Sequence, residues 1–163
     1  MKANLRSCLS GSVALVCIFC AARSTIAAQQ KEATFTQIIN DVKLLPTGGA
    51  AKPAAIHDNV RDGSSVQTGM DSRTELTFTD QTLARLSANT IFNFNEGTRN
   101  LGLAEGATLV YVPKGAGRAK ISTAAVTAAI TGTTVIVEYH PHACLKFISL
   151  EGTAYILGEP TCS

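Results

Sequence analysis

The chain has 163 residues, enough for one domain of ordinary size, and carries 14 Lys and Arg against 12 Asp and Glu. Its formal charge of +2 comes from the first 28 residues: without Lys2, Arg6 and Arg23, 11 basic and 12 acidic residues leave a net charge of −1. That balance excludes the basic surface on which nucleic-acid binding rests.

Residues 1–28 have the layout of a secretory signal peptide. Lys2 and Arg6 form a positive start, Leu9 to Ala22 is a largely apolar run, and the small residues Ala27 and Ala28 precede polar Gln29-Gln30. Cleavage is expected near Ala27 or Ala28. The apolar run is short for a membrane span and is interrupted by Ser10-Gly11-Ser12. No small residue precedes Cys17 or Cys20, which excludes lipoprotein acylation there. No second apolar segment is long enough to span a membrane. The expected product is therefore residues 29–163, delivered to the periplasm or secreted. Of five cysteines, only Cys144 and Cys162 remain in it. In an oxidising compartment these two either pair or stand as a strand residue and a free tail thiol.

Thr34 to Leu45 reads as two strands, Ala33–Ile38 and Asp41–Leu45, with Asn40-Asp41 between them. A Gly/Pro-rich exposed loop follows, with Pro46, Gly48, Gly49 and Pro53. Asp62-Gly63 turns into a short strand, Ser65 to Thr68, and Gly69 to Arg73 turns again. In Glu75 to Thr79, Leu76 and Phe78 point inward. Asp80-Gln81 reverses the chain, and Ala84 and Leu86 return inward. Ile91 to Asn95 carries Phe92 and Phe94 on its inner face. Leu101 and Leu103 lead into a strand at Thr108–Val112, and the basic, Gly-rich PKGAGRAK loop covers residues 113–120.

Ile121 to Tyr139 has no charge until Glu138. Val126, Ala128 and Ile130 share one side of a strand, as do Val135, Val137 and Tyr139. Two strands joined at a Gly132-Thr133 corner are expected. Pro141 marks a turn, Leu145 to Leu150 a strand, Glu151-Gly152 another turn and Ala154 to Leu157 the last strand. Short strands separated by regular turns, with no strand-helix alternation, predict a mainly β fold. A small antiparallel sandwich or roll of short hairpins fits best, with a β-solenoid-like stack as the alternative.

In order, these pieces resemble the FecR domain family. The first piece is SVQTGMDSRTELTFTDQTLARLSANTIFNF, with Thr68-Gly69, Ser72-Arg73, Leu76, Phe78, Asp80, Leu86 and Asn89-Thr90. The second runs from Leu103 to Ile156 and includes Thr123, Gly132-Thr133 and Leu150-Glu151-Gly152. The resemblance covers roughly residues 34–157 and implies a periplasmic β domain with a signalling or binding role. Three departures stand out. Relatives usually continue past the last strand with another strand or a Gly-rich return, whereas GEPTCS follows it here, so a short member with an unpaired edge strand is expected. The family's full signalling regulator has a cytoplasmic anti-sigma region and a transmembrane helix before this domain, whereas here a signal peptide precedes it. Asp80-Gln81 stands where the family often has Asp-Gly, so a different turn type is expected, because Gln takes a positive φ less readily than Gly.

Chemistry-bearing clusters are few. Glu138, His140, His142 and Cys144 recur every second residue and would share a face of an extended strand, as zinc or copper ligands can. Pro141 fans them apart, so a solvated hairpin turn is preferred. Lys114, Arg118 and Lys120 offer charge to an anion but lack the P-loop pattern. His57 has Asp58 beside it and no nucleophile; Asp58 and Asp62 lack the ligand density of a calcium loop. No serine-nucleophile elbow occurs. No catalytic, cofactor-binding or metal residue is assigned, and no cofactor is expected. The expected function is a non-enzymatic binding, scaffold or signalling module of the cell envelope, whose partner is a protein or envelope component. A component of a transmembrane iron-type signalling system, regulating a sigma factor through a partner, is the alternative. A metal- or anion-binding periplasmic protein comes third.

Overall fold

The computed structural model describes residues 32–95, 99–143 and 145–158. The expected signal peptide and the Cys144–Cys162 pair lie outside these residues. Among the described residues twelve strands form one hydrogen-bonded sheet. They are β1 (Ala33–Ile39), β2 (Val42–Leu45), β3 (Lys52–Pro53), β4 (Asn59–Val60), β5 (Ser65–Thr68) and β6 (Arg73–Phe78). The chain continues with β7 (Leu83–Leu86), β8 (Ile91–Asn95), β9 (Asn100–Tyr111), β10 (Ala119–Ser122), β11 (Thr127–Tyr139) and β12 (Lys146–Leu157).

The mainly β, antiparallel reading holds, in the form of a single curled sheet. Its order is β3-β2-β5-β8-β9-β7-β6-β1-β4, with β10, β11 and β12 joined beside β9. Among the described residues β10 with β9 is the one parallel pairing. A strap, residues 52–60, draws the two ends of this order together. Its start pairs with β2 and its end with β1. Between them, Ala54 N–H donates to the Val42 carbonyl at 2.9 Å and His57 N–H to the Phe35 carbonyl at 3.0 Å. The short strands thus share one enclosed interior.

Alternation explains what fills it. Leu76 and Phe78, Ala84 and Leu86, and Phe92 and Phe94 are all buried, as their period-two spacing requires. The Phe78 and Phe94 rings lie 5.1 Å apart and tilted, a favourable aromatic arrangement. Val126, Ala128, Ile130, Val135 and Val137 of the uncharged stretch are also buried. Small hydroxyl residues complete the interior, and several of them bond to backbone. Thr68 Oγ1 donates to the Ser87 carbonyl at 2.6 Å and Thr74 Oγ1 to the Gln37 carbonyl at 2.7 Å.

Several expected boundaries are corrected. Gly132-Thr133 does not join two strands, because β11 runs through it unbroken. Gly132 takes φ +58 and bends the strand. Before the bend β11 pairs with β10, and after it with β9. Glu151-Gly152 is likewise a bend inside β12, with Gly152 at φ +83. Leu101–Leu103 and the expected strand at Thr108–Val112, apart from Val112 itself, belong to one long β9, which bends at Gly106. In each case a glycine with positive φ produces the local signal of a turn, while pairing on both sides carries the strand past it. The turn at Asp80-Gln81 also departs from expectation. Gln81 adopts φ +64, the left-handed conformation that glycine favours. Asp80 Oδ1 steadies it by accepting from Thr82 N–H at 2.9 Å.

Candidate functional site

β12 differs from every other long strand. It pairs with β11 along its whole length, from Glu138 opposite Lys146 to Thr127 opposite Leu157. Among the described residues no strand pairs with its other edge. Directly opposed residues share a face, so Phe147, Ser149, Ala154 and Ile156 lie on the inner side with Val137, Val135, Ile130 and Ala128. Lys146, Ile148, Glu151, Thr153, Tyr155 and Leu157 lie on the outer side. Leu150 and Gly152 occupy the irregular positions at the bend. Five large apolar side chains remain exposed: Ile148 (48%), Leu150 (57%), Tyr155 (68%), Ile156 (45%) and Leu157 (69%).

The rest of the sheet shows how an edge is normally blunted. β3 is two residues long and contains Lys52 and Pro53, while β4 is also two residues long. β12 has twelve residues, no proline and two charges, Lys146 and Glu151. On the outer face Leu109, Ile136 and Ile148 stand in direct register across β9, β11 and β12. This aliphatic row runs to the open edge and stops there. An added strand would extend it and satisfy the unpaired backbone groups.

The bend in the hairpin is held by its buried threonine. Thr133 Oγ1 donates to the carbonyls of Thr131, at 2.8 Å, and Thr153, at 3.1 Å. Thr133 is 1% exposed. The Thr133 carbonyl accepts from Val112 N–H at 2.9 Å, which fixes the end of β9 against the bend.

The residues singled out from sequence form no comparable site. Glu138 accepts from Lys146 Nζ at 3.2 Å and lies 3.4 Å from His140 Nε2. The Lys146 hydrogen bond, more than His140, holds its carboxyl below the usual range. His140 and Ala143 close the expected turn, Ala143 N–H donating to the His140 carbonyl at 3.0 Å, and His142 takes φ +64. Cys144 lies outside the described residues. Lys114 faces Glu151 at 3.9 Å, and Lys120 belongs to β10. Arg118 stays in the loop before β10. Asp58 accepts from Lys52 Nζ at 3.2 Å, the main cause of its lowered pKa, and from Ala55 N–H at 3.3 Å. It caps the strap. His57, Asp58 and Asp62 line one open polar cleft with Lys52 and Arg61. No group of three or more His, Cys, Asp or Glu among the described residues is placed to hold a metal.

One structural cluster escaped the sequence reading. The Arg99 guanidinium, largely buried, pairs with Asp80 and donates to the Ala116 carbonyl and, at 3.2 Å, to Thr82 Oγ1. It ties the PKGAGRAK loop to the β6–β7 turn. Nothing local at Arg99 signals this, because its partners lie 17 to 19 residues away.

The model of a family described as FecR protein matches residues 64–154, more than half of the chain. The chain belongs to the FecR family. The match starts just before β5 and ends within β12, so it takes in β11 and both halves of the bent hairpin. β1 and β2 precede it, yet they belong to the same sheet. FecR domains are signalling-related and associated with the cell envelope. No curated protein and no solved structure matches the chain. No helix among the described residues is long and apolar enough to cross a membrane.

Proposed function

We propose that this FecR-family chain is an exported, non-enzymatic binding and signalling module of the cell envelope, which takes a macromolecular partner along the open edge of β12. The exposed apolar side chains of that edge carry the reading. Strand addition gains affinity from main-chain hydrogen bonds and selectivity from alternate side chains. Ile148, at the end of the Leu109–Ile136 row, would favour an aliphatic or aromatic residue beside it. The signal-like layout of residues 1–28 supports export to the periplasm or beyond. The clusters at Glu138–His142 and His57–Asp62 are tied up in ion pairs and turns, which favours binding over catalysis.

The test is retention of envelope proteins by the immobilised chain and by an Ile148→Lys/Tyr155→Lys variant. Retention that the double variant loses supports the reading. Equal retention by both chains, or none above background, overturns it. Family membership also favours a second reading, in which a partner supplies the cytoplasmic half of a sigma-regulating system. A sigma-factor or receptor gene beside this one would favour that arrangement.

A further inference from the structure

We propose that the strand completing β12 is β12 of a second copy of this chain, paired antiparallel about a two-fold axis at Gly152. The proposal rests on the reading of β12 as the contact edge and names its occupant.

Shape supplies the first argument. β12 bends at Gly152, and β11 follows it because β11 bends at Gly132 in the same place: Thr131 opposite Thr153 and Thr134 opposite Glu151 flank the two glycines. A straight strand could not stay hydrogen-bonded on both sides of such a bend. An occupant that pairs over the full length must bend at the matching point. A second β12 meets this condition when the axis passes through Gly152.

Register supplies the second. A two-fold axis normal to the sheet keeps each residue on its own face. Leu150 is the extra residue of the β12 bulge, since Thr134 opposes Glu151 and Val135 opposes Ser149. Counted past it from an axis at Gly152, Ile148 opposes Tyr155 of the second copy on the outer side, and Phe147 opposes Ile156 on the inner side. Ser149 opposes Ala154, and Lys146 opposes Leu157. Aliphatic–aromatic pairs of this kind are among the favourable cross-strand combinations. An axis at Ile148 instead would leave Tyr155, Ile156 and Leu157 uncovered and put the bends out of line.

Charge and exposure agree. The two charges of β12, Lys146 and Glu151, directly oppose no like charge: Glu151 opposes Thr153, with the two Glu151 side chains diagonal across the axis and each faced by Lys114 at 3.9 Å, and Lys146 keeps its bond to Glu138 at 3.2 Å. Pairing would bring the five exposed apolar side chains of each copy alongside those of the other. The result is one continuous sheet through both copies, with the β12 edges removed.

Sedimentation velocity of the purified full chain at about 100 μM, a concentration that populates even weak dimers, should give twice the mass of the chain. Ile148→Lys and Tyr155→Lys, both at exposed positions, should each give a monomer with an unchanged strand spectrum and melting temperature. Mixing Glu151→Cys with Thr153→Cys, each as the expected exported product, residues 29–163, in a Cys144→Ser/Cys162→Ser background, should give a disulfide-linked heterodimer in excess of either homodimer, because opposed residues sit within bridging reach. A monomer at every concentration, a dimer unaffected by both lysine variants, or no heterodimer enrichment overturns the proposal. If the chain is monomeric but retains an envelope protein that Tyr155→Lys does not, the edge is a contact site and its occupant is not a second copy. If both chains behave alike, the contact edge fails as well.

Discussion

Gly152 sits so close to Gly132 that a Cβ on Gly152 would lie 2.8 Å from the Gly132 carbonyl oxygen and 2.8 Å from Thr133 Oγ1. The relation is not symmetric. A Cβ on Gly132 would meet Lys114 Cγ at 3.1 Å, part of a flexible and exposed side chain. Both residues have positive φ, so alanine brings backbone strain of about 1 kcal/mol at either. Only at position 152 does it also drive a side chain into backbone. Gly152→Ala should therefore lower the unfolding free energy by about 2–3 kcal/mol and Gly132→Ala by about 1 kcal/mol. Urea denaturation of the two variants checks the order. Equal losses would mean that the two bends are not in contact.

Thr133 sets the same bend from within. Its hydroxyl is buried and bonds to one carbonyl on each strand of the hairpin. Thr133→Val keeps the shape but leaves two carbonyls short of a donor, at an expected loss of about 1–2 kcal/mol. Thr133→Ser keeps the donor and should recover at least half of that loss. A valine variant as stable as the parent would show that the hydroxyl is dispensable.

The bend also marks where legibility in the sequence ended. Leu76 and Phe78, or Phe92 and Phe94, announce their strands because alternation is local and burial on one face enforces it. Gly132 and Gly152 looked like turns because glycine serves positive φ both in tight turns and in bends of this kind inside a strand. The difference lies in whether neighbouring strands pair on both sides, and those neighbours are distant in sequence. The candidate site was legible in part. An unpaired edge at the last strand was expected, but Ile148, Leu150 and Ile156 have the composition of a core strand, and it is the order of strands in the sheet that leaves their side chains exposed on β12. Arg99 was invisible for a similar reason, its partners being brought to it by the fold.

Gln81 holds a left-handed conformation that costs a residue with a Cβ about 1 kcal/mol, partly offset by the Asp80 side chain. Gly at this position relieves the strain but loosens the unfolded chain. Gln81→Gly should still gain about 0.5 kcal/mol, and Gln81→Asn, which tolerates this region better, should gain less. A thermal melt that moves down for both would show that the Gln81 side chain makes a compensating contact.

Glu75 offers a pH test of the opposite side of the sheet. Its carboxylate accepts from Arg85 Nε at 2.7 Å and from Thr36 Oγ1 at 2.8 Å. The Arg85 hydrogen bond, with a lesser contribution from Thr36, holds its pKa below the ordinary 4.5. A depressed carboxylate stabilises the fold above its unfolded value, and that stability is lost as pH falls through the lower, folded value. Because Arg85 is largely exposed, solvent and salt screen the pair, and its contribution at neutral pH should be about 0.5 kcal/mol. Glu75→Gln should therefore be less stable than the parent at pH 7, with the gap closing as the pH drops below 4.5. Raising the salt to about 1 M should narrow the gap at pH 7 as well. Stability curves that stay parallel down through the acid limb would mean that the Arg85–Glu75 bond does not persist in solution.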